Sequence, residues 1–274
     1  MRLDGPLIPA EAVEPVWFGL VDHAEDLAFE EDGTVWCGGE EGQVYRGRLG
    51  AELEIVARTP GRTYGFALGP DGACYCADVA EPGIYRIEGG SAERVSAGSP
   101  NRPAVLPNDL AFLPGGELLF SDSGNWGGND GCIYGLAPDG TTRIADTTCA
   151  AYPNGLAVSP DGSQLAVVES TLPGVSVLSL GPDGALSDRR VLVEMPGTVP
   201  DGLLYDQQGQ LLISCWAPDA VFRLESDGEL SVVLHDPLRV VLNQPTNIAF
   251  VPGTNKLVAA NIGDRYLSVF NYDV

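Results

Sequence analysis

Four residues of this 274-residue chain carry oxygen donors at matching places in a recurring five-residue phrase: Glu25, Asn108, Asn154 and Asp201. Each heads one copy of the phrase, and Tyr64 and Thr246 head the other two. Two carboxylates and two carboxamides form an all-oxygen set, which suits a hard divalent cation; with no His or Cys among them, zinc is not the first choice. The carboxylates would neutralise a dication, and the amide oxygens would fill its shell without adding repulsion. Water or substrate would take the remaining positions. The same heads could instead hydrogen-bond around a water-filled channel, and spacing alone leaves both readings open. Burying two unpartnered carboxylates is costly, which weighs on the side of an ion.

The elements that must position these heads follow from the repeat. The copies lie at 25–29, 64–68, 108–112, 154–158, 201–205 and 246–250, so that successive heads are 39, 44, 46, 47 and 45 residues apart. Each copy runs into apolar residues and then a turn, such as Pro70-Asp71-Gly72 or Pro160-Asp161-Gly162. Pro fixes φ and Gly supplies a positive φ, so these turns reverse one strand onto the next. A second strand follows, as at 34–37, 73–77 and 211–215. A third has an aromatic or branched centre, as at 44–46, 84–86 and 221–223. Repeats of about 40 to 50 residues with about four strands each match propeller blades. The fold expected is all-β: a six-bladed β-propeller, its four-stranded antiparallel blades set around a central channel, forming one domain over 1–274. A strand from residues 1–20 is expected to complete the last blade and close the ring; a two-sheet sandwich is the alternative. In a propeller the innermost strand of each blade lines the channel. The six heads therefore meet at one channel mouth, although 221 residues separate the first from the last.

Composition agrees and excludes other classes. With 35 glycines and 21 prolines, a fifth of the chain is turn-forming residue, which argues against a helical bundle. The formal net charge is −23, and Lys256 is the only lysine. Nucleic acid and anionic membrane surfaces would be repelled, so neither is an expected partner. The acidity is otherwise that of a solvated surface. No apolar run is long enough to span a membrane, and the first residues lack a signal-peptide pattern. Six cysteines show no CxxC pair and no zinc spacing, and read as reduced thiols packed in strands of a cytoplasmic protein. GxSxG, HExxH and GxGxxG are all absent. His23, two residues before Glu25, could share its strand face or lie in a loop. His235 reads as a surface residue in a connection.

Several stretches together resemble the senescence-marker-protein, gluconolactonase and regucalcin-like family of six-bladed propellers. They are Glu25 in the first repeat, Pro107-Asn108-Asp109-Leu110, Tyr152-Pro153-Asn154-Gly155-Leu156, Glu169-Ser170, Pro200-Asp201-Gly202 and Pro245-Thr246-Asn247-Ile248. The resemblance covers nearly the whole chain. It implies one divalent cation on the propeller axis, calcium first, with zinc, manganese or magnesium as substitutes. It also implies Glu25, Asn154 and Asp201 as direct ligands, with Asn108 either a ligand or a holder of the substrate beside the metal. Family members hydrolyse sugar-acid lactones, other lactones or organophosphate esters.

The chemistry so implied is Lewis-acid polarisation of a lactone carbonyl. The resemblance makes Asp201 the general base or the carboxylate that orients the nucleophile, beside the alternative of a purely structural ligand. One departure bears on the substrate. Sugar-lactone members usually carry Arg two positions before the third head, whereas this chain has Leu106 there, with Arg102 nearby but out of register. An apolar side chain at that place points to a less polar small-molecule substrate. Tyr64, Trp126 and Trp216 are expected to wall the mouth, unless they serve in packing between blades. The same site could alternatively run a lyase, isomerase or ring-forming reaction, or the ion could be a structural plug in a non-enzymatic calcium-binding propeller. A monomer or weak homodimer is expected.

Overall fold

The computed structural model describes residues 5–273. Six four-stranded antiparallel sheets follow one another along the chain. The first consists of Leu27–Phe29, Thr34–Gly38, Gln43–Arg48 and Leu53–Arg58, and the second of Thr63–Leu68, Cys74–Asp78, Gly83–Glu88 and Ser91–Ser96. Blade three holds Pro107–Phe112, Leu118–Asp122, Cys132–Leu136 and Thr142–Asp146; blade four holds Pro153–Val158, Gln164–Glu169, Gly174–Leu180 and Leu186–Glu194. Blade five holds Val199–Tyr205, Leu211–Ala217, Ala220–Leu224 and Leu230–His235. The sixth combines Pro245–Phe250, Lys256–Asn261 and Leu267–Asn271 with Glu14–Val16 from the other end of the chain. Glu14 pairs with Val269 and Val16 with Leu267, so the ring is closed by the strand expected in residues 1–20. A two-stranded ribbon, Gly98–Ser99 with Arg102–Pro103, decorates the link between blades two and three. Among the described residues no helix is long and apolar enough to cross a membrane.

Local sequence explains the blades. The turn after each inner strand ends in Gly33, Gly72, Gly116, Gly162, Gly209 or Gly253, and all six have positive φ between 71° and 86°, where a side chain would be strained. Middle strands such as Leu118–Asp122 and Cys132–Leu136 are buried at every position, because both of their faces pack on neighbouring blades. Outer strands such as Leu53–Arg58 and Leu186–Glu194 are largely exposed and carry charges, which blunts their free edges. Between successive blades lie six separate apolar wedges. One joins Val168, Val175 and Val177 of blade four to Leu203, Ile213 and Phe222 of blade five. Another joins Leu27, Val35 and Tyr45 of blade one to Val258, Leu267 and Val269 of blade six. All six cysteines are buried and free, which makes them packing residues of these wedges.

The inner strands are not regular at their first residues. Register shifts between Thr63 and Phe66, Pro107 and Leu110, Pro153 and Leu156, Pro200 and Leu203, and Pro245 and Ile248. In each case two residues face one on the neighbouring strand, the geometry of a bulge, which re-aims a side chain out of the ladder. The re-aimed residues are the phrase heads Tyr64, Asn108, Asn154, Asp201 and Thr246. In blade one, Glu25 stands just ahead of the strand.

Thr246 also fastens the ring at its seam. Its buried hydroxyl donates to the Glu25 carbonyl at 2.5 Å, across 221 residues. Thr246→Val keeps the shape but strands that carbonyl. It is expected to cost about 1–3 kcal/mol in urea unfolding; an unchanged midpoint would show that the seam does not depend on this bond.

Candidate functional site

The bulged heads converge on one cavity of about 320 Å³, lined by Glu25, Tyr64, Asn108, Trp126, Tyr152, Asn154, Ser170, Val199, Asp201, Trp216, Thr246 and Ile262. All seven residues singled out from the sequence lie in this lining. Glu25, Asn108, Asn154 and Asp201 form its buried floor, at 2, 2, 4 and 7% exposure. Trp126 and Trp216 stand at the exposed rim.

Each amide on the floor is oriented by a serine that follows the second strand of its own blade. The Asn108 Nδ2 donates to Ser123 Oγ at 3.1 Å, and Ser123 Oγ donates onward to the Pro153 carbonyl at 2.8 Å. The Asn154 Nδ2 donates to Ser170 Oγ at 3.4 Å, and Ser170 Oγ donates to the Pro200 carbonyl at 2.8 Å. With their N–H₂ ends held, both amides present their oxygens inward. Asn108 Oδ1, Asn154 Oδ1, Glu25 Oε2 and Asp201 Oδ1 are all buried without a hydrogen-bond partner. Orphaned buried acceptors are rare because each forfeits its hydration. Four in one cavity, drawn from four blades, fit a cation whose charge would satisfy them all. Close approach of the heads also needs glycine beside them: a Cβ on Gly155 would come 2.5 Å from the Asp201 carbonyl.

A second acidic tier lies beneath the heads. Asp26 accepts from the Leu27 N–H at 2.7 Å and from the Phe66 N–H of blade two at 2.5 Å. Asp109 repeats this between blades three and four, accepting from Leu110 N–H at 2.7 Å and Leu156 N–H at 2.6 Å. These carboxylates cap the bulges of the next blade. The channel thus buries four acids close together. Burial, then repulsion from Asp201, Asp26 and Asp109, raises the Glu25 carboxyl well above its usual range. Burial, then the Asp109 charge, raises Asp26 likewise. Burial pushes Asp109 up to about 7, and burial with the Asp109 charge pushes Asp201 up to about 7.

The walls are apolar and aromatic. Trp126 packs edge-on against Tyr152, with ring centroids 4.8 Å apart. Its loop is held by Asp130, which accepts from the Asn125 N–H at 2.9 Å and the Asn125 Nδ2 at 2.7 Å. Trp216 and Ile262 come from hairpins of blades five and six. Tyr152 and Val199, two residues ahead of their heads, were not among the residues the sequence singled out. Val199 is marked in the sequence by that register alone, and Tyr152 also by opening the resembling stretch Tyr152-Pro153-Asn154. Leu106 and Arg102 lie outside the lining, and Arg102 is engaged with the Asp130 carbonyl. His23 has left-handed backbone, φ 54°. It sits in a group with Asp22 and Glu40, whose carboxylates are engaged by Gln43, Arg265 and Arg62. It does not line the cavity. His235 ends a strand rather than lying in a connection.

Residues 25–260 match the family model described as "SMP-30/Gluconolactonase/LRE-like region". A gluconolactonase of Zymomonas mobilis subsp. mobilis is 29% identical over 198 residues, covering 63% of this chain and 53% of that protein. The chain therefore spans about half the length of this relative. Among solved structures, a gluconolactonase from Xanthomonas campestris superposes with a TM-score of 0.78 at 23% identity, covering 93% of this chain and 88% of the other. A calcium-binding protein, regucalcin, from Agrobacterium tumefaciens gives 0.75 at 19% identity, covering 97% and 95%.

The carboxyl shifts give a signed pH dependence. In the unfolded chain these acids titrate near 4, whereas folded they hold protons up to about 7. Without metal, the contribution of these acids to stability is therefore fullest below about pH 4 and is lost as pH rises through about 7. A dication must displace those protons, so its affinity should climb by about tenfold per pH unit below 7 for each proton released. Calorimetric calcium titrations at pH 5.5, 6.5 and 8 check this. Asp201→Asn should flatten the slope, and a pH-independent affinity would contradict it.

Proposed function

The chain belongs to the SMP-30/gluconolactonase/LRE-like family, and from that premise we propose a divalent-metal-dependent hydrolase that opens a lactone less polar than a sugar lactone. The observation that carries this reading is the convergence of four unpartnered buried oxygens, Glu25 Oε2, Asn108 Oδ1, Asn154 Oδ1 and Asp201 Oδ1, on one cavity. These four residues would hold the ion, calcium before other divalent cations because every donor is a hard oxygen. Bound there, a dication supplies Lewis-acid polarisation of the lactone carbonyl and charge stabilisation as that oxygen gains charge.

The chain's own residues supply the rest. Asp201 is buried at the cavity floor, and its carboxylate takes the proton of an attacking water. The water oxygen bonds to the carbonyl carbon and the ring C–O bond breaks. The proton passes to the departing ring oxygen, which leaves as a hydroxyl on the opened acid. Asn108, its N–H₂ locked by Ser123, keeps its oxygen turned into the cavity as one of the donors that would hold the ion. Tyr64, Trp126, Tyr152, Val199, Trp216 and Ile262 surround the rest of the ring with apolar surface. Such walls favour an aromatic or alkyl lactone over one whose hydroxyls would lose their hydration unpaired.

Acid release from a lactone panel, followed with a pH indicator, tests this. Dihydrocoumarin should be opened with kcat/KM at least about tenfold above that for gluconolactone, the scale of one to three kcal/mol of apolar contact. Chelation should abolish turnover, with added calcium restoring it. Asp201→Asn should reduce kcat by about 10² or more. Preference for gluconolactone would overturn the substrate reading, and chelator-insensitive turnover would overturn the metal dependence.

A further inference from the structure

The residue two places before each head occupies an equivalent place in every repeat. In chain order these residues are His23, Arg62, Leu106, Tyr152, Val199 and Gln244. Tyr152 and Val199 line the cavity directly, whereas the other four stand outside its lining. Among these six residues Arg62 is the one permanent cation. Its guanidinium lies 5.5 Å from the centre of the Tyr64 ring, a cavity wall.

The guanidinium is incompletely used. One terminal nitrogen is 2.9 Å from the Glu40 carboxylate, while Nε is buried with no hydrogen-bond partner. The backbone around it is fixed: the Arg62 carbonyl accepts from the Val79 N–H at 3.0 Å, and the Gly61 N–H donates to Asp78 at 2.8 Å. A pre-positioned guanidinium with a free donor, stacked on an aromatic wall, matches a planar oxygen acceptor. The other walls are apolar, so a single anionic group has one favourable place to sit.

We propose that Arg62 is a specificity-determining residue that binds a carboxylate carried by the substrate, so that the preferred lactone has an apolar or aromatic body and one acidic substituent. This rests on the lactonase reading and deepens it. Glu40 competes for the same guanidinium, and its removal should strengthen the preference.

The test compares dihydrocoumarin with a carboxylate-bearing dihydrocoumarin as a ratio of kcat/KM. Arg62→Gln should lower the ratio of acidic to neutral substrate by about tenfold to a hundredfold, the value of a charge-assisted bond. Arg62→Lys, which keeps charge but not the fork, should recover part of it. Glu40→Gln should raise the ratio. An unchanged ratio in Arg62→Gln overturns the assignment. If neither lactone is opened by the wild type, the lactonase reading fails, and calorimetric binding of the carboxylated compound then decides about Arg62. Binding weakened tenfold or more in Arg62→Gln upholds the carboxylate site, and equal binding refutes it. Metal content and thermal midpoint of each variant show that the fold is retained.

Discussion

The structure turns on how four acids are buried together in a narrow channel. Glu25, Asp26, Asp109 and Asp201 lie within reach of one another's charge, and a protein interior does not accept such a group without compensation. The lower pair is compensated internally, since each carboxylate takes two backbone N–H groups and thereby ties one blade to the next. The upper pair is not. Glu25 and Asp201 keep an unpartnered oxygen each, as do the two amides beside them. That asymmetry divides the channel into a tier that serves the fold and a tier that serves a ligand.

The propeller makes this arrangement affordable by spreading it over six wedges of apolar packing. Each wedge is an ordinary two-sheet core, and of the heads only Tyr64 packs against one. The bulges are the device that connects the two. By setting two residues against one, each inner strand releases its head from the ladder while the strand beyond it continues to pair. Ser121 and Ser214 then occupy the single opposing places in blades three and five. There they accept the freed Asp109 and Gly202 N–H groups and donate to the heads of the next blades. The mouth is thus held by bonds that run from blade to blade, and the seam between blades six and one is held by Thr246 in the same manner.

Much of this was legible in the sequence because it is repetitive and local. Phrase, turn glycine and strand recur six times, so blade number, strand order and closing strand could be read before any contact was known. The heads were legible as the variable first place of a phrase that continues with Gly or Asx and then apolar residues, and the Glu169-Ser170 pair stood out beside them. Other features depend on contacts between blades. Asp26 and Asp109 read as packing positions; their partners Phe66 and Leu156 lie 40 and 47 residues away. Val199 and Arg62 carry no motif, and Tyr152 figures only as the first residue of a resembling stretch; their places become meaningful only once the fold is known. The left-handed turn at His23 likewise redirects a side chain that simple strand alternation could have placed beside Glu25.

The central claim is that the upper tier is built for one dication. The most direct measurement is elemental analysis of the purified chain after equilibration with excess calcium and removal of free ion, beside a Glu25→Gln/Asp201→Asn variant of matched stability. The account predicts one calcium per chain in the natural sequence and none retained in the variant. A natural chain that retains no divalent ion, or a variant that retains as much, would contradict it.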